Sequence, residues 1–426
     1  MSMAENIVVF EIPYACPQSQ PDHDLMLALA TVFNREQEHL GTAALSEATP
    51  EEFSACLNPS PDSVVKHRIF VALKASALAE DASGVDPTTG AASKAPKLGV
   101  ADDASRDRST ASNASANSNT APVLPHEVRV RDVVGYASLM YWDQPEAKQG
   151  YLSVFTDVDY RRQGIGSALH EAAANRARTL GLSIVEGWVV AISDRITPPQ
   201  REAAVHLPNG DSFPMVPELA ATMSWGYELG NVEYMNALHF PMTEDAIAIL
   251  TARAAEMPSN FQVYSWLDAD YPPELADPAK FMESFLRLRS YANEEIPAGE
   301  LSVENHSHTL ASWEALVERD VRAGKQLLNA AICDESGQVV ALSTAQRQAR
   351  PEGVFHQDTT LVAPSARGQK LGWALKAALH KLIVSTCDQP RAILTWNAVS
   401  NKSMLHINES IGFHPFLLEG VVQLRL

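Results

Sequence analysis

The chain has 426 residues, of which 46% are hydrophobic, and a formal net charge of −19 at neutral pH. That length holds two or three domains, each able to bury a core of its own. The acidic balance argues against nonspecific nucleic-acid binding, and no stretch approaches the roughly twenty apolar residues of a membrane span. Four scattered cysteines, Cys16, Cys56, Cys333 and Cys387, show no paired spacing. Neither a metal site nor a disulfide framework is expected from them. The N-terminus has no signal-peptide apolar run, so the expected location is cytoplasmic.

A strand is expected at Ile7 to Ile12, then a helix from Asp24 to Leu40 closed by Gly41. Thr49-Pro50-Glu51-Glu52 is a helix start, with proline at the first helical position. A strand follows near Ile69 to Leu73. Residues 81–122 are rich in small and polar types and carry no aromatic residue. Such a segment cannot offset its chain entropy by burial, and it reads as a disordered insertion between two strands. Val133 to Trp142 resumes as the next strand.

A strand-like run, Tyr151 to Val158, leads into Asp159-Tyr160-Arg161-Arg162-Gln163-Gly164-Ile165-Gly166-Ser167. Beyond it Ile165, Leu169, Ala172, Ala173 and Leu180 recur at helical spacing, and Gly181 can cap the helix. Strand, glycine turn and helix together aim free N–H groups at one point. That is a site for an anion, with pyrophosphate the natural guest. Gly164 and Gly166 let a phosphate approach the backbone, and Arg161 and Arg162 add charge. No Gly-Lys-Ser/Thr follows, which excludes the ATPase loop, and the dinucleotide fingerprint is incomplete.

Ser183 to Ala191 is expected as a strand, and Asp194 to Pro217 as a loop, either a lid or a packing element. Tyr227 to Phe240 closes the first half in strands. The second half begins with a strand, Phe261 to Leu267, and a helix, Pro278 to Tyr291. Glu294, Glu295, Glu300 and Glu304 then either suit a cationic amine or form a solvated acidic face. A helix over Trp313 to Val321 precedes a hairpin, Lys325 to Cys333 with Gln338 to Ala345. A strand from Phe355 to Val362 runs into Ser365-Ala366-Arg367-Gly368-Gln369-Lys370-Leu371-Gly372, and Leu371, Leu375, Ala378, Leu379 and Leu382 repeat the helical face. This second copy indicates internal duplication. Lys370 stands in place of the first glycine. Asn401 to Met404 and Ile407 to Phe413 follow another strand, Arg391 to Trp396.

The turn at Arg161 resembles the acetyl-CoA pyrophosphate loop of the GNAT acetyltransferases, Gln/Arg-x-x-Gly-x-Gly/Ala, filled by Arg161, Gly164 and Gly166. The segment Asn401 to Phe413 resembles the helix that lies over the pantetheine arm in that family. With both copies the chain is similar to the tandem two-domain type found in actinobacteria, and more distantly to mycothiol synthase. The resemblance implies two tandem α/β GNAT domains, each a mixed, mostly antiparallel sheet flanked by helices. They would span residues 1–241 and 261–426, joined by a linker at 242–260.

It further implies acetyl-CoA as donor, with no metal. The donor would contact Val154, Phe155 and Thr156 on the strand and Arg161, Arg162, Gln163, Gly164, Ile165, Gly166 and Ser167 in the turn. The second-half counterparts are Thr360, Leu361, Val362, Arg367, Gly368, Gln369, Lys370, Leu371, Gly372 and Asn401. The family often places a glutamate base early on the strand, where this chain has His356. Alternation would put His356, Asp358, Thr360 and Val362 on one face, with Asp358 orienting a neutral imidazole. The first half has Gly150 at that place, and Glu186 is the nearby carboxylate. The family's usual acid, a tyrosine, is replaced by Thr222 and Asn408. The expected function is acetyl-CoA-dependent N-acetyl transfer to a small-molecule or protein amine, with the chemistry in the second half. The alternative is a non-catalytic acyl-CoA-binding regulatory protein. Neither nucleic acid nor membrane is an expected partner.

Overall fold

The computed structural model describes residues 7–12, 23–75, 128–275 and 277–426. The insertion expected at 81–122 lies outside the described residues, as does Cys16. The first half contributes β1 (Ile7–Glu11), β2 (Val65–Lys74), β3 (Val133–Trp142), β4 (Gln149–Thr156), β5 (Ile184–Ala191), β6 (Val205–His206), β7 (Ser212–Phe213) and β8 (Glu228–His239). The second half contributes β9 (Gln262–Leu267), β10 (Gln326–Cys333), β11 (Val339–Arg347), β12 (Val354–Val362), β13 (Ala392–Ala398) and β14 (His414–Arg425).

All but β6 and β7 join one sheet of 12 strands, in the order β1-β2-β3-β4-β5-β14-β8-β13-β12-β11-β10-β9. Two neighbouring pairs are parallel, β4 with β5 and β12 with β13, and the others are antiparallel. The expected fold class is therefore observed: a mixed, mostly antiparallel sheet with flanking helices. The separate sheet expected in each half is not. The last strand of the chain, β14, lies between β5 and β8, and β8 lies between β14 and β13. Each half inserts its final strand into the other half's sheet.

The physical reason is the length and apolarity of these two strands. Both have 12 residues and both are buried along most of their length. Val232, Ala237, Val421 and Val422 are almost wholly inaccessible. Burying one such valine is worth about 1.5–3 kcal/mol, and a central position in the sheet covers both faces.

The two parallel ladders are short. The β4–β5 ladder runs from Gln149↔Ile184 to Tyr151↔Glu186, and the β12–β13 ladder from Val354↔Ala392 to Gln357↔Thr395. Beyond those pairs the strands part. In β12 a β-bulge also intervenes: Ser343 opposes Thr360, whereas Ala345 opposes Gln357. One extra residue shifts the alternation. Gln357 Nε2 consequently reaches Thr360 Oγ1 at 3.2 Å and Ser343 Oγ at 3.0 Å. The expectation that His356 and Thr360 share a face fails at this bulge.

Helix Ile165–Thr179 packs Leu169, Ala173 and Ala177 onto the first half's core. Helix Leu371–Thr386 does the same in the second half with Leu375, Leu379 and Ile383. Helix Glu244–Ala255, within the expected linker, buries Ala246 and Leu250 in that second core.

Candidate active site

The first glycine turn begins where β4 ends. Arg162 and Gly164 both take left-handed φ, 64° and 84°. Gly164 is the N-cap of helix Ile165–Thr179 and supplies no side-chain cap. The N–H groups of the first helical turn are left for a guest. A Cβ at Gly166 would sit 3.4 Å from Thr156 Oγ1 and 3.8 Å from the Trp225 ring, in ordinary contact, and would narrow the cradle. Arg161 donates from Nε to the Thr156 carbonyl at 3.4 Å. Its guanidinium pairs with Glu36 and lies 3.7 Å from Glu218.

The second turn copies this backbone. Arg367 donates from Nε to the Val362 carbonyl at 3.3 Å and pairs with Glu295. Lys370 takes Gly164's role, with φ 63°, and its ammonium lies 3.4 Å from Glu256. A non-glycine residue held there costs roughly 1–2 kcal/mol.

The interiors behind the two turns differ. In the first half a cavity of about 990 Å³ extends from the turn through the gap between β4 and β5. Val154, Phe155, Thr156, Arg161, Arg162, Gly164, Gly166 and Ser167 line it. Ile165 instead points into the core, and Gln163 is exposed. The strand exchange supplies the far wall: Met235 of β8, His356 of β12, Leu394 and Trp396 of β13, and Leu417 and Glu419 of β14. His356 was expected to serve its own half, yet it faces the first half's cavity.

His356 packs edge-on against Trp396, with ring centres 5.3 Å apart. Its side chain hydrogen-bonds the Leu45 backbone, and its Nε2 is buried without a partner. Burial, with a smaller contribution from the Lys325 charge, pulls its pKa down to about 4. Asp358 does not orient it. That carboxylate is exposed and lies 3.2 Å from Arg289 Nη2.

Glu419 is the carboxylate of this chamber. Trp396 Nε1 donates to its Oε1 at 3.2 Å. Burial, opposed by that hydrogen bond and aided by Glu233, pushes its pKa up to about 7. Glu186 is also raised to about 7, first by burial, but Gln149 and Gln423 hold it at 3.1 and 3.2 Å outside the cavity wall. On the other side of the gap His170 stacks on Trp225, with ring centres 4.5 Å apart, and Trp225 Nε1 donates to Ser167 Oγ at 3.2 Å.

In the second half, the space that Gln357, Lys376 and Phe413 bound together with core residues is about 10 Å³. Lys376 occupies the position that His170 holds in the first copy. It donates to Gln357 Oε1 at 2.6 Å and lies over the Phe413 ring, and burial pulls its pKa down to about 7. On the opposite face, residues 296–306 plug the approach. The Glu304 carboxylate accepts from the backbone N–H groups of Lys148 and Gln149, at 2.9 and 3.1 Å. His306 stacks on Trp142 with ring centres 3.7 Å apart. Glu295 and Glu304, among the acidic side chains considered for an amine, are thus engaged within the protein.

The remaining second-half candidates are likewise committed. Thr360 shares a 2.7 Å hydrogen bond with Ser343, and Leu361 and Leu371 are buried in the core. Val362 packs against the second core, Gly368 is exposed, Gln369 is half-buried, and Gly372 faces the Ile407 side chain. Asn401 caps helix Lys402–Ser410 by accepting from the Met404 N–H at 3.3 Å. Two second-half residues, His356 and Glu419, instead line the cavity behind the first turn.

Sequence reasoning missed Glu419, Trp396, His170 and Trp225. A lone carboxylate inside the apolar run Phe416 to Val422 was a signal for Glu419. Nothing local shows that β14 lands beside β5.

Residues 97–196 match the family model of the acetyltransferase (GNAT) family. Comparison with curated protein sequences finds no significant match. Among solved structures, the chain is similar to a tandem GNAT protein from the clavulanic acid biosynthesis pathway, solved without acetyl-CoA. The identity is 16% and the TM-score 0.60, over 99% of this chain and 98% of that one. It is also similar to a GCN5-related N-acetyltransferase from Sphaerobacter thermophilus. There the identity is 11% and the TM-score 0.52, over 98% and 95% of the two chains. At these identities the likeness is one of fold.

Proposed function

We propose, from a chain with the tandem GNAT fold and an acetyltransferase-family segment in its first half, an N-acetyltransferase. The donor is acetyl-CoA, and the acceptor is an amine. The observation that carries the reading is one continuous cavity. It joins an uncapped helix N-terminus, a gap between parting strands, and a chamber holding Glu419 and His356. The residues present suit the donor: free N–H groups and arginines for a pyrophosphate, and a glycine cradle that a Cβ would narrow.

Bound acetyl-CoA supplies an activated acetyl group. The protein's part is to orient it and to take the first proton; a second leaves the nitrogen as the C–N bond forms and the C–S bond breaks, and it is taken up by the departing CoA thiolate. An ammonium has no lone pair, so the acceptor must first lose a proton. Glu419 is placed to take it, because its raised pKa keeps it a competent base near neutral pH. His356, neutral across that range, can accept a hydrogen bond from the same nitrogen at Nε2. Unpaired β4 N–H groups beyond Tyr151 are the natural donors to the developing oxyanion.

We take residues 1–241 as the donor-binding unit and 261–426 as the unit that completes its chamber, with 242–260 between them. The non-catalytic reading is favoured for the second half alone, whose interior is closed by Lys376 and by residues 296–306. The test is release of free CoA thiol with formation of the acetylated amine across an amine panel. CoA binding with no release for any amine would leave the binding-protein alternative standing.

A further inference from the structure

We propose that the chamber selects a primary amine carried on an aromatic or bulky apolar body, its ammonium held at Glu419 and its body set against Trp188 and Trp396. This rests on the acetyl-transfer reading and narrows its acceptor. Of the carboxylates lining the cavity, Glu36 and Glu218 lie at Arg161 beside the turn, and Glu419 stands apart from them on the far wall. Glu419 of β14 stands directly opposite Glu233 of β8 in the ladder. Directly opposed like charges repel, and burial makes each charge dearer. Among the described residues no lysine or arginine forms an ion pair with either carboxylate; Trp396 donates a hydrogen bond to Glu419, and Asn231 Nδ2 donates one to Glu233 at 3.3 Å. The pair lacks a cation.

A second observation points to the same guest. His356 Nε2 is buried, has no partner, and belongs to the same wall. With the other ring nitrogen turned to the Leu45 backbone, Nε2 is an acceptor. A primary ammonium has donors for both Glu419 and His356. A quaternary ammonium does not.

Next to Glu419 and His356 the walls are mainly apolar, with Thr42 and Ser46 flanking Leu45 farther out. Leu45, Met235, Leu394 and Leu417 form the sides. Trp188, stacked on Tyr151 with ring centres 5.5 Å apart, stands at the mouth. A sugar amine or a polyamine would bury hydroxyls or further charges there without partners, each costing about 1–3 kcal/mol. An aromatic body loses nothing of the kind and gains buried area.

The test uses calorimetry on the full chain, first with CoA and then with CoA and one of three probes. The probes are 2-phenylethylamine, 2-phenylethanol and ethanolamine. The first should bind at least about tenfold more tightly than either of the others. Glu419→Gln should bring 2-phenylethylamine down to the level of 2-phenylethanol. Trp188→Ala, at a half-exposed position, should weaken both aromatic probes and leave ethanolamine unchanged. Ethanolamine binding as tightly as 2-phenylethylamine, or no effect of Glu419→Gln, overturns the proposal. Failure of CoA to bind at all removes the acetyl-transfer reading instead, and the CoA titration reports it separately.

Discussion

The indole N–H of Trp396 on β13 reaches over β8 to the Glu419 carboxylate on β14, at 3.2 Å. This contact exists because the last strand of each half is lodged in the other half's sheet. It places a carboxylate from the end of the chain in a cavity whose phosphate turn lies at Arg161 to Ser167.

If Glu419 is the base, Glu419→Gln should lower turnover by about a hundredfold or more while leaving the dissociation constant for CoA nearly unchanged. In the wild-type protein, turnover should rise with pH through about 7, where the carboxyl ionises. His356 loses its proton near pH 4, so it contributes no limb in that range. His356→Gln should therefore slow the reaction yet keep the limb. Stopped-assay pH profiles of the three proteins decide this: a limb surviving in Glu419→Gln assigns it elsewhere.

The same carboxyl predicts a stability difference. Its pKa in the folded protein, about 7, lies above the ordinary glutamate value of 4.5. Between those values the folded state binds more protons than the unfolded state, so this group's contribution falls as pH rises. Glu419→Gln removes that loss. Its stability relative to wild type should grow from pH 4.5 to pH 7, by roughly 2–3 kcal/mol at most. Glu186, also raised by burial, and Glu233 across the ladder remain in both proteins. Urea denaturation at matched pH values measures it, and a difference that shrinks with pH refutes it.

Among the described residues the first turn opens onto a cavity of about 990 Å³ and the space behind the second is about 10 Å³, which predicts one CoA per chain. Arg161→Ala should weaken CoA by about tenfold to a hundredfold, the worth of a charge-assisted contact. Arg367→Ala should leave affinity within about twofold, because the space behind its turn that Gln357, Lys376 and Phe413 bound is only about 10 Å³. Titration calorimetry giving two sites, or the reverse order of effects, would count against the assignment.

The plug over the second half can be dislodged from beneath. A Cβ on Gly230 would approach Leu301 Cδ2 to 2.3 Å and the Leu301 backbone nitrogen to 3.3 Å. Gly230→Ala should cost about 1–3 kcal/mol through overpacking. It should also raise amide exchange in residues 296–306 before any other segment. Unchanged protection there would show that the segment rests on its polar anchors, Glu304 on Lys148 and Ser302 on Gln423.

The sequence alone determined the elements and the phosphate turn. Period-3.6 patterns marked helices Ile165–Thr179 and Leu371–Thr386, and the glycines fixed a turn that only left-handed φ can make. These are local properties, set by neighbours within a few residues. Duplication was legible for the same reason: two similar local signals recur. The site's acceptor side was not legible. His356 was assigned to its own half from its place early on the strand before Arg367, but a bulge in β12 took it off the face of Thr360 and strand exchange turned its wall toward the other half. Glu419 lies 258 positions from Arg161 in the chain, and its place beside β5 follows from the competition of two long apolar strands for the centre of one sheet. The plug over the second half came from contacts equally distant in sequence, Glu304 with Lys148 and Leu301 with Gly230. Such pairings depend on which surfaces bury each other, and only the packed tertiary structure decides that.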